Sequence, residues 1–215
     1  GEDEELAAGF LAGEGLVTGL GDIESIGPPR DLAANTVDVR TTNGLRRTPG
    51  ARSFYTTSSC GVCGKGALEF VRVEAGDTPA PHPVEPSVVV AAPARARSEQ
   101  TAFDRTGGLH ATALFEPTGE LIVLREDVGR HNAMDKAIGS QLLAGRYPLP
   151  GVVACLSGRA SFELVQKAAL AGLAGIVAVG APSSLAVELA REREMLLCGF
   201  VKGESFNLYS GSLRM

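Results

Sequence analysis

Residues 151–190 read GVVACLSGRASFELVQKAALAGLAGIVAVGAPSSLAVELA. The run GVVACLSG (151–158) is apolar without alternation, as in a strand covered on both faces, and it passes through a Gly/Ser loop into the helical pattern of 161–175. GIVAVGAP (175–182) repeats that arrangement before a second helical stretch, 183–195. Two strand–loop–helix units in succession define an α/β fold. Right-handed crossovers place their loops on one edge of a shared sheet.

Working outward, HATALFEPTGELIVLRED (110–127) reads as a strand, a turn at Thr118–Gly119 and another strand. NAMDKAIGSQLLAG (132–145) is helical, with Ala133, Ala137, Ile138 and Leu142 spaced for one face. That makes three strand–loop–helix passages. A last strand pair covers LLCGFVKG (196–203) and SFNLYS (205–210). The three loops, REDVGRHN (125–132), SGRAS (157–161) and GAPSS (180–184), are rich in Gly, Ser and positive charge. An edge where helix N-termini point outward beside Arg130, His131 and Arg159 suits phosphates and carboxylates. Ser161 and Ser183 equally stand where helix N-caps stand.

Toward the N-terminus, residues 2–16 read as an amphipathic helix with Leu6, Phe10, Leu11 and Leu16 on one stripe. Gly1 leaves no room for an N-cap, so further chain is expected to precede it. TVDVRT (36–41) alternates like a half-buried strand, followed by a turn at Asn43–Gly44 and an extended piece around Phe54 and Tyr55. EAGDTPAPHPVEPS (74–87) carries four prolines, which argue against regular structure and for an exposed, mobile connection holding His82 in solvent. The larger α/β unit is expected from about Pro93.

The 215 residues, 44% hydrophobic, suffice for one substantial core or two small ones. No apolar run reaches the roughly 18 residues of a membrane span, and the acidic start GEDEELAAGF is unlike a secretory signal. A cytoplasmic protein without membrane attachment is expected. The net charge of −5 argues against general nucleic-acid affinity but leaves room for a nucleotide in a local basic pocket.

Two of the four cysteines, Cys60 and Cys63, lie in SFYTTSSCGVCGKGALEF (53–70), a loop rich in Ser, Gly and Thr. A reducing compartment argues against a disulfide scaffold. A tetrahedral zinc site wants a second pair of ligands, yet Cys155 and Cys198 sit inside the apolar runs VVACL and LLCGF and read as inert core thiols. A zinc deaminase carries His-x-Glu ahead of Pro-Cys-x-x-Cys, whereas here HAT (110–112) follows SCGVC (59–63) and lacks the glutamate. No metal site is expected. Gly61, Gly64 and Gly66 would fray the helix a thioredoxin motif opens, and no phosphate-binding glycine fingerprint is complete. What remains is a thiolate on a swinging arm, favoured by the nearby Lys65 charge.

Together, SSCGVCGK (58–65), TGGLHATAL (106–114), REDVGRHNAMDK (125–136), SGRASFELVQKA (157–168), APSSLAVELA (181–190) and GFVKGESFNLYS (199–210), in this order, resemble the formate dehydrogenase accessory sulfurtransferase (FdhD) family. DEELAAGFLAGEGL (3–16) is similar to that family's first helix. The resemblance implies an α/β fold: a cytidine-deaminase-like three-layer α/β/α domain over 93–215, without deaminase zinc, a smaller N-terminal α/β unit over 1–57, and a mobile Cys-x-x-Cys loop and Pro-rich connection over 58–92. It further implies a sulfurtransferase that receives sulfur as a persulfide from a cysteine desulfurase. The acceptor would be the bis-molybdopterin guanine dinucleotide molybdenum cofactor required by formate dehydrogenase, with guanine nucleotides as mimics.

Carried over position by position, Cys60 would be the persulfide carrier and Cys63 a second thiol that shares or relays the sulfur. The stretch Gly199, Phe200, Val201, Lys202, Gly203 and Glu204 matches the family's cofactor-binding segment. The sheet-edge loops, through Arg130, His131, Ser157, Gly158, Arg159, Ala181 and Ser183, would receive guanine and phosphate groups. A homodimer would supply one set of loops for each nucleotide arm. His110 and His131 are candidates for polar contact or proton transfer; Asp127, Asp135 and Lys136 would read a guanine edge or pair on a helix surface. The alternative from another class is a non-catalytic cofactor carrier or chaperone whose cysteine pair senses redox state.

Overall fold

The computed structural model describes residues 1–29, 36–46 and 82–214. Its centre is a six-stranded mixed sheet built from β3 (His110–Phe115), β4 (Leu121–Asp127), β5 (Val153–Leu156), β6 (Gly175–Ala178), β7 (Leu196–Lys202) and β8 (Ser205–Ser210). Its order is β4-β3-β5-β6-β7-β8. β3 runs antiparallel to both β4 and β5, β5, β6 and β7 are mutually parallel, and β8 returns antiparallel to β7. Hence β4, β5, β6 and β7 all end at the same sheet edge. The apolar runs at 152–156 and 175–178 are strands buried on both faces, as expected.

On one face lie α4 (Arg130–Leu143), α5 (Phe162–Leu170) and α6 (Ser184–Glu192). They bury Met134, Ile138, Leu142, Leu164 and Leu189 against Leu114, Ala154, Ile176 and Leu197. The opposite strand faces, Ala113, Phe115, Val153, Cys155, Val177 and Cys198, are covered by Val88, Val89, Ala92 and Ala96 of α2 (Pro86–Ser98). A short α3 (Thr101–Thr106) follows α2. The result is three layers, α/β/α, with the side-chain alternation of each strand dividing residues between two cores.

Four local expectations are corrected. The proline-rich stretch gives way to regular structure at Pro86, which opens α2 as its first residue, where the missing N–H costs nothing. α2 continues through Pro93, so the helical layer precedes the residue at which the larger unit was expected to begin. In α1 (Asp3–Gly13) the buried face is Ala8, Gly9, Ala12 and Gly13 rather than the stripe of Leu6, Phe10 and Leu11; of that stripe only Leu16, beyond the helix, is fully buried. The reason is proximity. A Cβ on Gly9 would lie 1.8 Å from the Asp135 carbonyl oxygen, and one on Gly139 would lie 1.8 Å from that of Glu5, so α1 and α4 meet backbone to backbone. Finally, β2 (Asp38–Thr41) pairs antiparallel with an unforeseen strand, β1 (Ile23–Gly27). Phe54 and Tyr55, and the boundary drawn at residue 57, lie outside the described residues.

Charged groups tie α1 to the rest. Arg125 of β4 makes a bidentate pair with Glu5 (Nη2–Oε1 2.8 Å). Asp135 and Lys167 form a buried pair at 2.8 Å between α4 and α5, with Glu14 at 3.6 Å from the ammonium. Lys136, also buried, meets Asp127 at 2.7 Å. Asp135 and Lys136 thus pair across elements and not on a helix surface. Each buried charge has a partner of opposite sign, the condition under which such burial is tolerated.

Among the described residues no helix is long and apolar enough to cross a membrane.

Candidate functional site

The edge where β4, β5, β6 and β7 end gathers the loops singled out in the sequence. After β4, Asp127 shapes the turn into α4: its carboxylate accepts from Gly129 N–H (2.9 Å) and the Asn132 amide (3.0 Å) while facing Lys136. Burial alone would raise the Asp127 carboxyl, but the bonds from Lys136, Gly129 and Asn132 outweigh it and hold it below the usual carboxylate range. The turn therefore delivers Arg130 and His131 as the first residues of α4, with Gly129 as an N-cap lacking any side chain to occupy the helix's open N–H groups.

The other two loops are stitched to each other and to β7. Gly180 N–H donates to Gly158 C=O (3.0 Å), Ala160 N–H to Ala181 C=O (3.2 Å), and Ser183 N–H to Ala160 C=O (3.0 Å). Phe200 N–H donates to Gly180 C=O (3.2 Å). A side chain at Gly180 would press against Arg159 at 3.0 Å, and one at Gly199 against Pro182 at 2.8 Å. The contact at Gly199 leaves no room for a side chain unless the loop moves, and that at Gly180 is tight. Ser157 Oγ accepts from Ala111 N–H (2.8 Å), fixing the first loop to β3.

The two loop serines differ. Ser183 accepts from Ala186 N–H (3.2 Å) and is the N-cap expected. Ser161 makes no cap bond; its hydroxyl is 3.1 Å from His131 Nε2, linking α5 to the start of α4. Glu163 lies 3.8 Å from the same ring nitrogen. Burial pushes the Glu163 carboxyl up, but His131 and Ser161 together draw it below its ordinary value.

His110 opens β3 at this edge, its ring against the Gly158 backbone, where a Cβ would be 3.2 Å from Nδ1. Its imidazole is held below the ordinary histidine range by burial first, then by the charges of Arg130, Arg159 and His131. Among the described residues the Arg130 Nε is buried with no hydrogen-bond partner. Phe200 stands 51% exposed with φ +54°, a left-handed conformation in which a bulky residue is uncommon.

Beneath this edge, on the α2 face, runs a groove of about 700 Å³ lined by His110, Ser157, Val201, Lys202, Gly203, Arg97, Gln100 and Phe103, among others. Val201 also packs into the α2-side core, while Gly203 and Glu204 form the exposed turn between β7 and β8. Arg130, His131, Ser157, Gly158, Arg159, Ala181, Ser183, Gly199 and Phe200 thus share one sheet edge, and Val201, Lys202 and Gly203 border the groove. Arg97 and Phe103, and Gln100 between them, were missed because α2 and α3 were. The small residues Val88, Val89, Ala92 and Ala96 held that signal. Cys60, Cys63 and Lys65 lie outside the described residues.

Cys155 and Cys198 are buried in the core, and burial pushes both thiols up to about 12. Neither offers a thiolate near neutrality. At pH 8 both are expected to resist a thiol-specific reagent in the native protein and react fully in denaturant; native labelling of either would contradict their burial.

An α/β/α protein whose sheet edge combines helix N-termini, arginines and glycine-rich loops is of a class whose chemistry at strand C-termini suits anionic groups. Comparison with known proteins narrows the class. The FdhD/NarQ family model matches residues 1–215, and the chain belongs to that family. It is 49% identical to the sulfur carrier protein FdhD of Streptomyces avermitilis, covering all of this chain and 80% of that one. It is 48% identical to the sulfur carrier protein FdhD of Mycolicibacterium paratuberculosis, again over all of this chain and 83% of the relative. A crystal structure from Desulfotalea psychrophila, described as a formate dehydrogenase accessory protein, superposes with a TM-score of 0.74 at 25% identity, covering 98% of this chain and 78% of that one.

Proposed function

We propose that this protein is a cytoplasmic sulfurtransferase that carries sulfur as a persulfide on Cys60 and passes it to the bis-guanine-dinucleotide molybdenum cofactor destined for formate dehydrogenase. The observation that carries the reading is the convergence of Arg130, His131, Arg159 and His110 on one edge of the sheet, in a chain whose relatives are named sulfur carriers. The donor set suits the substrate: phosphate oxygens would be met by guanidinium groups and open helix N–H groups.

Loading follows thiol–disulfide chemistry. The Cys60 thiolate attacks the outer sulfur of a desulfurase persulfide, a new S–S bond forms on Cys60, and the bond to the desulfurase breaks, returning its cysteine as a thiolate. Electrons and sulfur balance without an added oxidant. Cys63 can take the outer sulfur from Cys60 by the same exchange, which moves it along the loop without releasing it to solvent. Handing the sulfur on as a sulfide-level ligand would break the S–S bond and consume two electrons, which the Cys63 thiolate would supply by attacking the inner sulfur on Cys60 and closing a Cys60–Cys63 disulfide that a cellular dithiol then reduces, while the cationic edge would hold the cofactor's nucleotide arms. Two protomers would serve the two arms.

Incubation with a cysteine desulfurase and cysteine is expected to add one sulfur to the peptide holding Cys60, removable by reductant and visible by mass spectrometry. A protein that binds guanine nucleotides yet never acquires sulfur would instead support the non-catalytic carrier. On the binding side, Arg130→Ala is expected to weaken GDP about tenfold, the loss of one charge-assisted contact. Unchanged affinity in a calorimetric titration would remove Arg130 from the site.

A further inference from the structure

Gln100 joins α2 to α3 and stands at the N-cap position of α3, yet its side chain makes no cap bond. Glu126 of β4 takes that role instead, its carboxylate accepting from Ala102 N–H (2.8 Å) and Phe103 N–H (2.7 Å). Gln100 is only 4% exposed, and among the described residues its carboxamide has no hydrogen bond. A buried amide in that condition is destabilising, because its donor and acceptor have left water without a replacement. The residue lines the groove of about 700 Å³ on the α2 face. A ligand seated there would restore what the protein leaves unpaired.

The rest of the lining restricts that ligand's chemistry. Pro93, Leu109, Val179 and Val201 make much of the wall apolar. Phe103 adds an aromatic ring, with the Arg97 guanidinium 4.9 Å from its centre. Arg97 also pairs with Asp104 at 2.6 Å, so it holds the ring while its charge is answered. Among the described residues no carboxylate lines the groove, which argues against a cationic ligand. Ser157 accepts from Ala111 N–H (2.8 Å) and retains its own proton to donate. Lys202 is exposed and has no ion pair among the described residues. The volume falls within the roughly 300–1,000 Å³ of small-molecule sites. An apolar groove with an aromatic ring, one buried carboxamide and a free cation suits a planar heterocycle that carries an anionic substituent.

We propose that Gln100 is a specificity-determining residue: its carboxamide reads the aminopyrimidinone edge of a fused heterocycle held in this groove. The side-chain oxygen accepts from the ring N–H, and the side-chain NH2 donates to the neighbouring ring carbonyl. Guanine and the pterin nucleus share this edge, and the acceptor proposed above contains both. The inference deepens that reading and rests on it for the identity of the heterocycle. No covalent bond forms or breaks. Selection follows from satisfaction, since a ring without such an edge leaves the buried amide unpaired as before.

Calorimetric titration of the whole protein with GDP and with pterin-6-carboxylate tests this. Gln100→Leu keeps the volume and the burial while removing both polar groups, so the fold is expected to persist. The substitution is expected to weaken at least one probe about tenfold or more. Loss on GDP places guanine in the groove, and loss on the pterin alone places the pterin there. Purine riboside diphosphate has the phosphates but neither the ring N–H nor the carbonyl, and it should bind parent and variant equally. Arg130→Ala should weaken both diphosphates. A check without any variant uses the side-chain amide resonances, because the chain holds three glutamines, Gln100, Gln141 and Gln166. That of Gln100 should move on saturation while the other two stay. Unchanged affinity for both probes in Gln100→Leu, a stationary Gln100 resonance, or a parent protein that binds neither probe overturns the proposal. Diphosphates indifferent to Arg130→Ala, with the Gln100 effects intact, would instead overturn the anion-site reading of the edge.

Discussion

Gly139→Ala is expected to destabilise the protein by more than about 3 kcal/mol, against the direction that helix propensity alone would give. Alanine in place of glycine inside a helix ordinarily gains about 1 kcal/mol by restricting the unfolded chain. At this position the added Cβ would sit 1.8 Å from the Glu5 carbonyl oxygen and 2.7 Å from the Gly9 nitrogen, both backbone atoms with no rotamer to change. The helices would have to part by more than an ångström. Parting them disturbs the pair between Arg125 and Glu5 and the buried Asp135–Lys167–Glu14 cluster, which stand on the same two helices and their neighbours. A loss of that size is a large share of the roughly 5–15 kcal/mol that separates folded from unfolded states. Urea unfolding measures it directly. A variant as stable as the parent would mean that α1 does not approach α4 as described.

The second large effect is chemical. Cys60→Ser together with Cys63→Ser is expected to abolish sulfur loading and to reduce formate oxidation, in a cell dependent on this protein, to the level of a strain lacking it. A serine hydroxyl cannot hold a transferable sulfur, and Cys155 and Cys198 cannot substitute because burial keeps both protonated at neutral pH. Arg130→Ala serves as the counterpart: loading should proceed while GDP binding weakens. The pair of variants separates acquiring sulfur from holding its acceptor. Undiminished formate oxidation in the double cysteine variant would end the proposal.

The readable parts of this fold are those where one physical signal dominates. The doubly buried strands β5 and β6 show as unbroken apolar runs, and the α4 face of Ala133, Ala137, Ile138 and Leu142 has helical spacing and is buried as read. The common edge then follows from crossover handedness, which is why Arg130, Arg159 and the glycine loops were anticipated together. α2 was obscured because Pro86 and Pro93 resemble breaks, although the first sits at the one helical position where proline is welcome. The burial of α1 was misread for a related reason. A hydrophobic stripe marks contact between side chains, whereas contact between backbones selects Gly9 and Gly139, which carry no hydrophobic signal. His110 stood in a recognised motif, but its neighbours, Gly158 after β5 and the groove residues of β7 and α3 among them, come from separate elements brought together only by folding.

The most direct measurement follows isotope-labelled sulfur through a single turnover. The protein is loaded with labelled persulfide, separated from the desulfurase and mixed with unsulfurated bis-guanine-dinucleotide molybdenum cofactor, and the label is then sought in both products. Label leaving the Cys60 peptide and appearing on the cofactor, with apo formate dehydrogenase becoming active, is the expected result. Label that stays on the protein while the enzyme still gains activity would contradict sulfur carriage altogether.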